Sequence, residues 1–79
     1  PVPDSEFIYM QAYAEKGAML NSHTHHDAWE IIEMEKGEMR EIKTGKILRK
    51  GEQEVIPPGQ PHGYEYLTDC KYIVIIKPA

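Results

Sequence analysis

The sequence contains a single cysteine, Cys70, so no disulfide bond can form within the chain. It also lacks a cluster of basic residues, since 13 acidic residues outnumber 9 basic ones and the net charge is -4. Nucleic acids and anionic membrane surfaces are negatively charged and would repel such a protein. We therefore expect a small molecule as its partner, and neither nucleic acid nor a membrane.

Long apolar segments are missing as well. No run approaches the roughly 18 to 20 apolar residues of a membrane-spanning helix, and the N-terminal residues lack the charged start and apolar core of a signal peptide. An unpaired cysteine suits a reducing compartment, and Cys70 precedes the strand-like segment KYIVII, as a structural thiol would. We expect a cytoplasmic protein.

The chain of 79 residues is short for a stable domain. At this size folding buries only about 60 to 65% of the surface that the unfolded chain exposes, so the hydrophobic core alone gives marginal stability. We expect one domain over residues 1–79, with 1–6 as an N-terminal arm. A metal ion or a second subunit would add stability, and an edge strand over 7–14 favours a homodimer.

Short strands separated by turn residues are predicted along the whole chain. They cover residues 7–14, 18–25, 29–35, 38–43, 46–49, 53–56, 62–66 and 71–77. Thr44 and Gly45 alone separate two of these strands, a spacing that favours a hairpin with a two-residue turn. The last strand is apolar on both faces and is expected to be buried on both sides.

The segment AWEIIEMEKGEMREIK, residues 28–43, is rich in good helix formers and could be a helix on propensity alone. A helix from Trp29 to Lys43 would include Gly37, and its apolar residues would scatter around the helix instead of forming a stripe. We therefore predict strands here. On the strand that begins at Trp29, the residues Glu30, Ile32 and Met34 then share one face.

Three of the four histidines lie in the stretch from Gly17 to Gly37. His23 and His25 are two residues apart, so in an extended strand both imidazoles point to the same face. Glu30 opens the next strand, which could bring its carboxylate beside them. His62 is a fourth candidate, far along the chain.

The spacing of this stretch resembles the first conserved motif of the cupin family. Five residues separate Gly17 from His23, one separates His23 from His25, four separate His25 from Glu30, and six separate Glu30 from Gly37. All five positions of that motif are occupied by the expected residue types.

A second segment is similar to the second cupin motif. Five residues separate Gly51 from Pro57, one separates Pro57 from Gly59, and two separate Gly59 from His62. The family usually has an asparagine where this chain has Tyr66. The two motifs and the hairpin between them span about two-thirds of the chain, and the 13 residues between Gly37 and Gly51 leave no room for an inserted lid.

The resemblance implies an all-β fold, a small antiparallel jelly-roll barrel. It also implies metal ligation by His23, His25, Glu30 and His62, and association into dimers. Cupins act as dioxygenases, decarboxylases, isomerases and lyases, so the resemblance does not choose a reaction.

The donor set is chemically consistent with that implication. Three neutral imidazoles and one carboxylate suit a divalent transition metal (Mn, Fe, Co, Ni, Cu or Zn) better than calcium, which prefers oxygen ligands throughout. Four protein ligands on an octahedral ion would leave two positions for water or for a small oxygen-rich ligand. An open site of this kind favours a function over a purely structural metal.

Other polar and aromatic residues have two interpretations each. Tyr64 and Tyr66 lie on the face of His62 and either line the site or pack in the core. Met19 and Asn21 lie on the face of His23 and either touch a ligand or pack. His26 points away from His25, so we place it outside the site, and the inward or outward direction of Glu41 does not follow from its strand.

Two classes of function are consistent with the sequence. The first is a metal-dependent enzyme acting on a small oxygen-rich molecule, such as an oxygenase, isomerase or lyase. The second is a non-catalytic module that binds or senses a small ligand or the metal itself. No further acidic residue or histidine is placed near the metal by the sequence pattern, so an enzyme would depend on metal-bound hydroxide or on Tyr64 or Tyr66.

Overall fold

The structure is a computed structural model that describes residues 7–79, and the predicted arm over residues 1–6 lies outside that range. The described residues form eight β-strands and no helix, which confirms the all-β prediction. The strands are β1 (Ile8–Ala14), β2 (Met19–His23), β3 (Ala28–Lys36), β4 (Met39–Glu41), β5 (Ile47–Leu48), β6 (Gln53–Ile56), β7 (His62–Tyr66) and β8 (Cys70–Pro78). Residues 7–79 accordingly contain no helix that could cross a membrane. The cytoplasmic location stays a prediction.

Two antiparallel sheets of four strands make up the fold. One sheet has the order β1-β8-β3-β6 and the other the order β2-β7-β4-β5. From β2 onward the chain passes back and forth between the sheets except at the β4–β5 hairpin, which stays in one sheet, and this is the winding of a jelly roll. The two sheets bury a core between them that consists of Ile32, Met34, Met39, Leu48, Ile56, Tyr64, Tyr66, Cys70, Tyr72 and Val74.

The segment with mixed propensity folds as strands, as predicted. β3 pairs with β6 on one side and with β8 on the other, so backbone pairing on both edges overrides its helix propensity. Ile32 and Met34 are 3% and 1% exposed on its inner face, next to Glu30. The strand ends at Lys36 and is followed by Gly37, whose φ of 86° is a conformation that other residues rarely adopt.

The predicted hairpin is present, but its turn is longer than two residues. β4 ends at Glu41 and β5 begins at Ile47, so residues 42–46 connect them. The Gly45 N–H donates to the carbonyl oxygen of Glu41 at 2.8 Å, and the Thr44 hydroxyl donates to the Glu41 carboxylate at 2.8 Å. These bonds to Glu41 close a wider turn than the spacing alone predicts.

β8 is buried on one side only, whereas the sequence predicted burial on both. Tyr72 and Val74 face the core and are both 8% exposed. Ile73 and Ile75 lie on the outer face and are partly exposed, because no other part of residues 7–79 forms a layer over that face.

Cys70 lies at the start of β8 and is 4% exposed. Its sulfur lies 3.3 Å from the carbonyl oxygens of both Glu38 and Thr68, and its single S–H can donate to either. Burial raises the pKa of the thiol, so little reactive thiolate forms at neutral pH. These observations agree with a structural thiol.

Candidate metal centre

The four predicted ligands lie together at one end of the two sheets. The candidate ligand atoms of His23, His25, Glu30 and His62 are all within 4.8 Å of one another. Glu30 lies on the inner face of β3 in one sheet, and His23 and His62 lie on β2 and β7 of the other. His25 follows β2 in the connection to β3. The cluster therefore joins the two sheets and the loop between them.

Hydrogen bonds orient two of the imidazoles toward the centre of the cluster. Nδ1 of His23 lies 2.9 Å from the carbonyl oxygen of Asn21, and Nδ1 of His62 lies 3.2 Å from that of Gln60. A carbonyl oxygen can only accept, so in both rings Nδ1 carries the proton that is donated. In the neutral rings Nε2 is then unprotonated and has a free lone pair. A neutral imidazole with such a nitrogen is the form that binds a metal.

The closest contact in the cluster places two acceptors against each other. Nε2 of His62 is 2.8 Å from Oε2 of Glu30, and Nε2 of His25 is 3.7 Å from the same oxygen. His62 and Glu30 have side chains that are only 2% and 14% exposed, so water is largely excluded from their contact. Neither atom has a neutral hydrogen-bond donor among the described residues. A positive charge between them, a proton or a metal ion, is needed to make this contact favourable.

The histidines reach the cluster by a route that differs from the predicted one. β2 ends at His23, not at His25, and its pairing with β7 shifts between Leu20 and His23. Leu20 pairs with Tyr64 and His23 with His62, so three steps along β2 match two along β7, which defines a β-bulge. The bulge turns His23 to the inner face beside His62. The prediction that His23 and His25 share one face of a strand is wrong, because β2 ends at His23 and His25 lies in the connection that follows.

Gly63 makes the bulge sterically possible. A Cβ atom at this position would lie 2.7 Å from the backbone nitrogen of Ser22 and 2.8 Å from the carbonyl oxygen of Leu20. β2 thus packs directly onto the backbone of β7 between His62 and Tyr64. Only a residue without a side chain allows that approach.

The bulge also changes the other residues predicted to share a face with His23. Leu20, not Met19, pairs with a residue whose side chain is on the inner face. Met19 is 59% exposed and Asn21 is exposed, and Asn21 contributes through its backbone carbonyl. His26 is exposed and is not part of the cluster.

Tyr64 and Tyr66 are both buried on β7, at 1% and 5% exposure. The Tyr66 hydroxyl is 2.7 Å from that of Tyr72 in the core, and burial is the main reason why the pKa of Tyr66 is raised. Tyr64 lies next to the cluster, with its ring centroid 6.4 Å from that of His62. Tyr66 therefore packs in the core, and Tyr64 lies at the boundary between the core and the cluster.

Two acidic residues near the cluster were not assigned to it from the sequence, which left the direction of Glu41 open and did not single out Glu54. Glu41 and Glu54 both face the interior between the sheets, beside Tyr64. Glu41 shares a face with the core residue Met39, and Glu54 shares one with Ile56. An acidic residue on an otherwise apolar inner face was the available signal.

Searches of family models and of curated proteins found no match. Solved structures with a similar fold were found. KdgF from Halomonas sp. superposes with a TM-score of 0.85 at 21% identity, over 94% of this chain and 71% of that one. An RmlC-like cupin from Shewanella frigidimarina gives 0.82 at 26% identity, over 94% and 68% of the two chains. An RmlC-like cupin from Desulfovibrio desulfuricans gives 0.76 at 28% identity, over 95% and 76%.

These similarities agree with the two sequence motifs of this chain. They also agree with the cluster that His23, His25, Glu30 and His62 form. The chain has the cupin fold, and these structures together with the two motifs support the cupin family for it. The fold and the winding expected from the motifs are thereby confirmed. The cluster of three histidines and one glutamate also fits a metal ion chemically. Nε2 of His62 and Oε2 of Glu30 are buried and face each other, and no neutral hydrogen-bond donor lies between them.

We predict that Gly63→Ala weakens metal binding by about tenfold or more, because the added Cβ would push β2 away and displace His23 from His62. Titration calorimetry with Zn²⁺ measures the affinity, and circular dichroism checks that the variant is folded. Gly45→Ala is the control. A Cβ added at position 45 would meet nothing within 4 Å. The φ of 76° strains the substitution, so we expect it to lower the melting temperature but not the affinity for the metal. Equal affinities in the two folded variants would contradict the role of Gly63.

Proposed function

We propose that this cupin binds one divalent transition-metal ion (Mn, Fe, Co, Ni, Cu or Zn) through His23, His25, Glu30 and His62. The ion would act as a Lewis acid that holds and polarises a small oxygen-rich ligand. A metal-dependent enzyme of the oxygenase, isomerase or lyase type is the leading candidate for its activity.

The buried contact between His62 and Glu30 carries this proposal. Two acceptor atoms 2.8 Å apart, with little access to water, are unfavourable unless a positive charge lies between them. His25 and His23 bring two further imidazoles to the same place, with ring centroids 5.4 and 4.2 Å from that of His62. Three imidazoles around one carboxylate form a set of ligands for a borderline metal, whereas a single proton would need only one of them.

The exposed side of the cluster supports binding of a small ligand. His25 has a side chain that is 47% exposed, while His62 and Glu30 are enclosed at 2% and 14%. A ligand therefore has access from the side of His25. The protein's own residues would bind the metal on the inner side and exclude water there. An anionic, oxygen-rich molecule of modest size fits best, because it can reach the positively charged ion from the exposed side.

Non-catalytic binding of the same class of ligand is the second candidate. The burial of Tyr64 and Tyr66 favours it, because both phenols are enclosed and neither is exposed on the side where a ligand would enter. An enzyme would need another proton donor than these two. The same metal and the same ligand class are expected in both cases.

We expect the purified cupin to contain about one transition-metal ion per chain after reconstitution, measured by elemental analysis. His62→Ala and Glu30→Gln each remove a buried donor and are expected to reduce the content below about 0.2 per chain. His26→Ala is the matched control, because it removes a neighbouring histidine that is exposed and outside the cluster. The ligand assignment fails if His26→Ala loses the metal and His62→Ala retains it.

We expect oxalate, a bidentate oxygen chelator, to bind the metal-loaded chain at least about tenfold more tightly than the metal-free chain, because the ion supplies the charge that attracts it. Calorimetry on both forms measures this ratio. Consumption of candidate substrates by the loaded form distinguishes an enzyme from a binding module. Turnover that is unchanged after complete removal of the metal would exclude the proposed chemistry.

We also propose that the chain forms a homodimer through β1. This strand lies at the edge of its sheet, and four of its large side chains are exposed: Ile8 at 53%, Tyr9 at 65%, Met10 at 45% and Tyr13 at 69%. An apolar edge strand of this kind pairs readily with another chain.

Light scattering at tens of micromolar is expected to give twice the monomer mass. The double variant Tyr9→Glu, Met10→Glu should shift the mass toward the monomer, because it places charges on both faces of β1. Ile42→Glu is the control, since Ile42 is similarly exposed at 45% but lies in the β4–β5 connection. A monomer mass for the unmodified chain would refute the dimer.

A further inference from the structure

Three polar side chains lie between the two sheets, beside the candidate metal centre. Glu41 on β4 pairs with Tyr64 on β7, and both face the interior, at 8% and 1% exposure. Glu54 reaches the same interior from β6 in the opposite sheet, where it pairs with the core residue Ile32. The two carboxyl groups and the phenol thus come together from three strands between the sheets.

The hydrogen-bonding capacity of this cluster is only partly used. The Thr44 hydroxyl donates to the carboxylate of Glu41 at 2.8 Å. Oε2 of Glu54 and the hydroxyl of Tyr64 are buried, and among the described residues neither has a hydrogen-bond partner of good geometry. Tyr64 is 99% buried, so its unused hydroxyl has no access to water. Buried polar groups that lack partners cost free energy, so a further proton or ligand is expected at this place.

Two ionised carboxylates in such a place would repel each other strongly. Burial raises the pKa of Glu54 to about 7, together with the neighbouring Glu41 carboxylate, which can accept its proton and carries a negative charge. The Glu54 carboxyl, which can donate a hydrogen bond to Glu41, is the main cause that lowers the pKa of Glu41. The shifts have opposite directions, as expected when two carboxyl groups hold one proton between them and titrate as a pair.

We propose that Glu41 and Glu54 share one proton inside the barrel, with Tyr64 hydrogen-bonded to Glu54, and that this pair is an acidic group held beside the metal centre. One proton completes the hydrogen bonds. The Tyr64 hydroxyl donates to Glu54, the protonated Glu54 donates to Glu41, and Glu41 also accepts from Thr44. The only added component is a proton taken from water, so no other reactant is required.

The surroundings of the pair connect it to the candidate metal centre. The charged and titratable groups that influence it are Lys46 from the β4–β5 connection, His62 from β7 and, through Tyr64, Glu30 from β3. Tyr64 lies on the same strand as His62, two residues along. The pair therefore supplies the acidic group that the sequence pattern did not reveal near the cluster. Only its use at a bound metal rests on the proposed function.

The test is a ¹³C NMR titration of the glutamate carboxyl groups in metal-free protein, kept so by a chelator. The wild-type chain should show one buried carboxyl group with a titration midpoint near pH 7. Glu54→Gln should remove that midpoint, because the amide N–H takes the place of the shared proton. Glu41→Gln should move the midpoint of Glu54 downward, because the charge and hydrogen bond of Glu41 are lost. A wild-type spectrum in which every carboxyl group is ionised by pH 5 would overturn the proposal.

Thermal melts of the same metal-free proteins give an independent readout. The folded-state pKa of Glu54 lies above its unfolded value, so its contribution to stability is complete at low pH and is lost as pH rises through about 7. The melting temperature of the wild type relative to Glu54→Gln should therefore fall between pH 6 and pH 8. A relative melting temperature that rises over this range would contradict the shared proton.

Two further controls separate this proposal from its alternatives. Tyr64→Phe keeps the ring but removes the hydroxyl, and should raise the midpoint of Glu54, because a hydrogen bond that favours its ionised form is lost. If the pair instead holds a sodium or potassium ion, both carboxyl groups stay ionised at pH 6 and stability depends on which ion is present, which would refute the shared proton. All these measurements are made without transition metal, so they can succeed or fail independently of the metal centre.

Discussion

The contact between His62 and Glu30 is the interaction on which the proposed chemistry depends. An imidazole nitrogen and a carboxylate oxygen face each other 2.8 Å apart, nearly enclosed, while the other nitrogen of the ring is bound to a backbone carbonyl. The contact is favourable only when a positive charge lies between the two atoms. Because His23 and His25 are directed to the same place, a metal ion satisfies more of the cluster than a proton does.

The fold holds this contact by means of backbone pairing. Glu30 is fixed on β3, which is paired on both edges, and His62 is fixed at the start of β7. The bulge in β2 and the missing side chain of Gly63 then bring His23 against His62. A metal that joins residues from both sheets would also stabilise a domain whose core is small, because it binds only the folded arrangement.

The sequence was informative where spacing alone carries the information. The intervals between His23, His25, Glu30 and His62 predicted a cluster, and the strands around Ile32 and Met34 followed from alternation. The bulge was not predictable, because it depends on how closely the backbone of β2 approaches β7. Glu41 and Glu54 were not assigned to the interior for a related reason. An acidic residue is assigned to the inner face only when the inward direction of its strand is known, and that direction depends on pairing with distant strands.

Diffraction from crystals grown with Mn²⁺ or Zn²⁺, with data on both sides of the metal absorption edge, tests the central claim most directly. The account predicts one anomalous peak per chain, in contact with His23, His25, Glu30 and His62. A peak bound instead by His26 or by surface carboxylates would contradict it. So would a map without a peak in which His62 and Glu30 remain in contact, because a proton alone would then hold the cluster together.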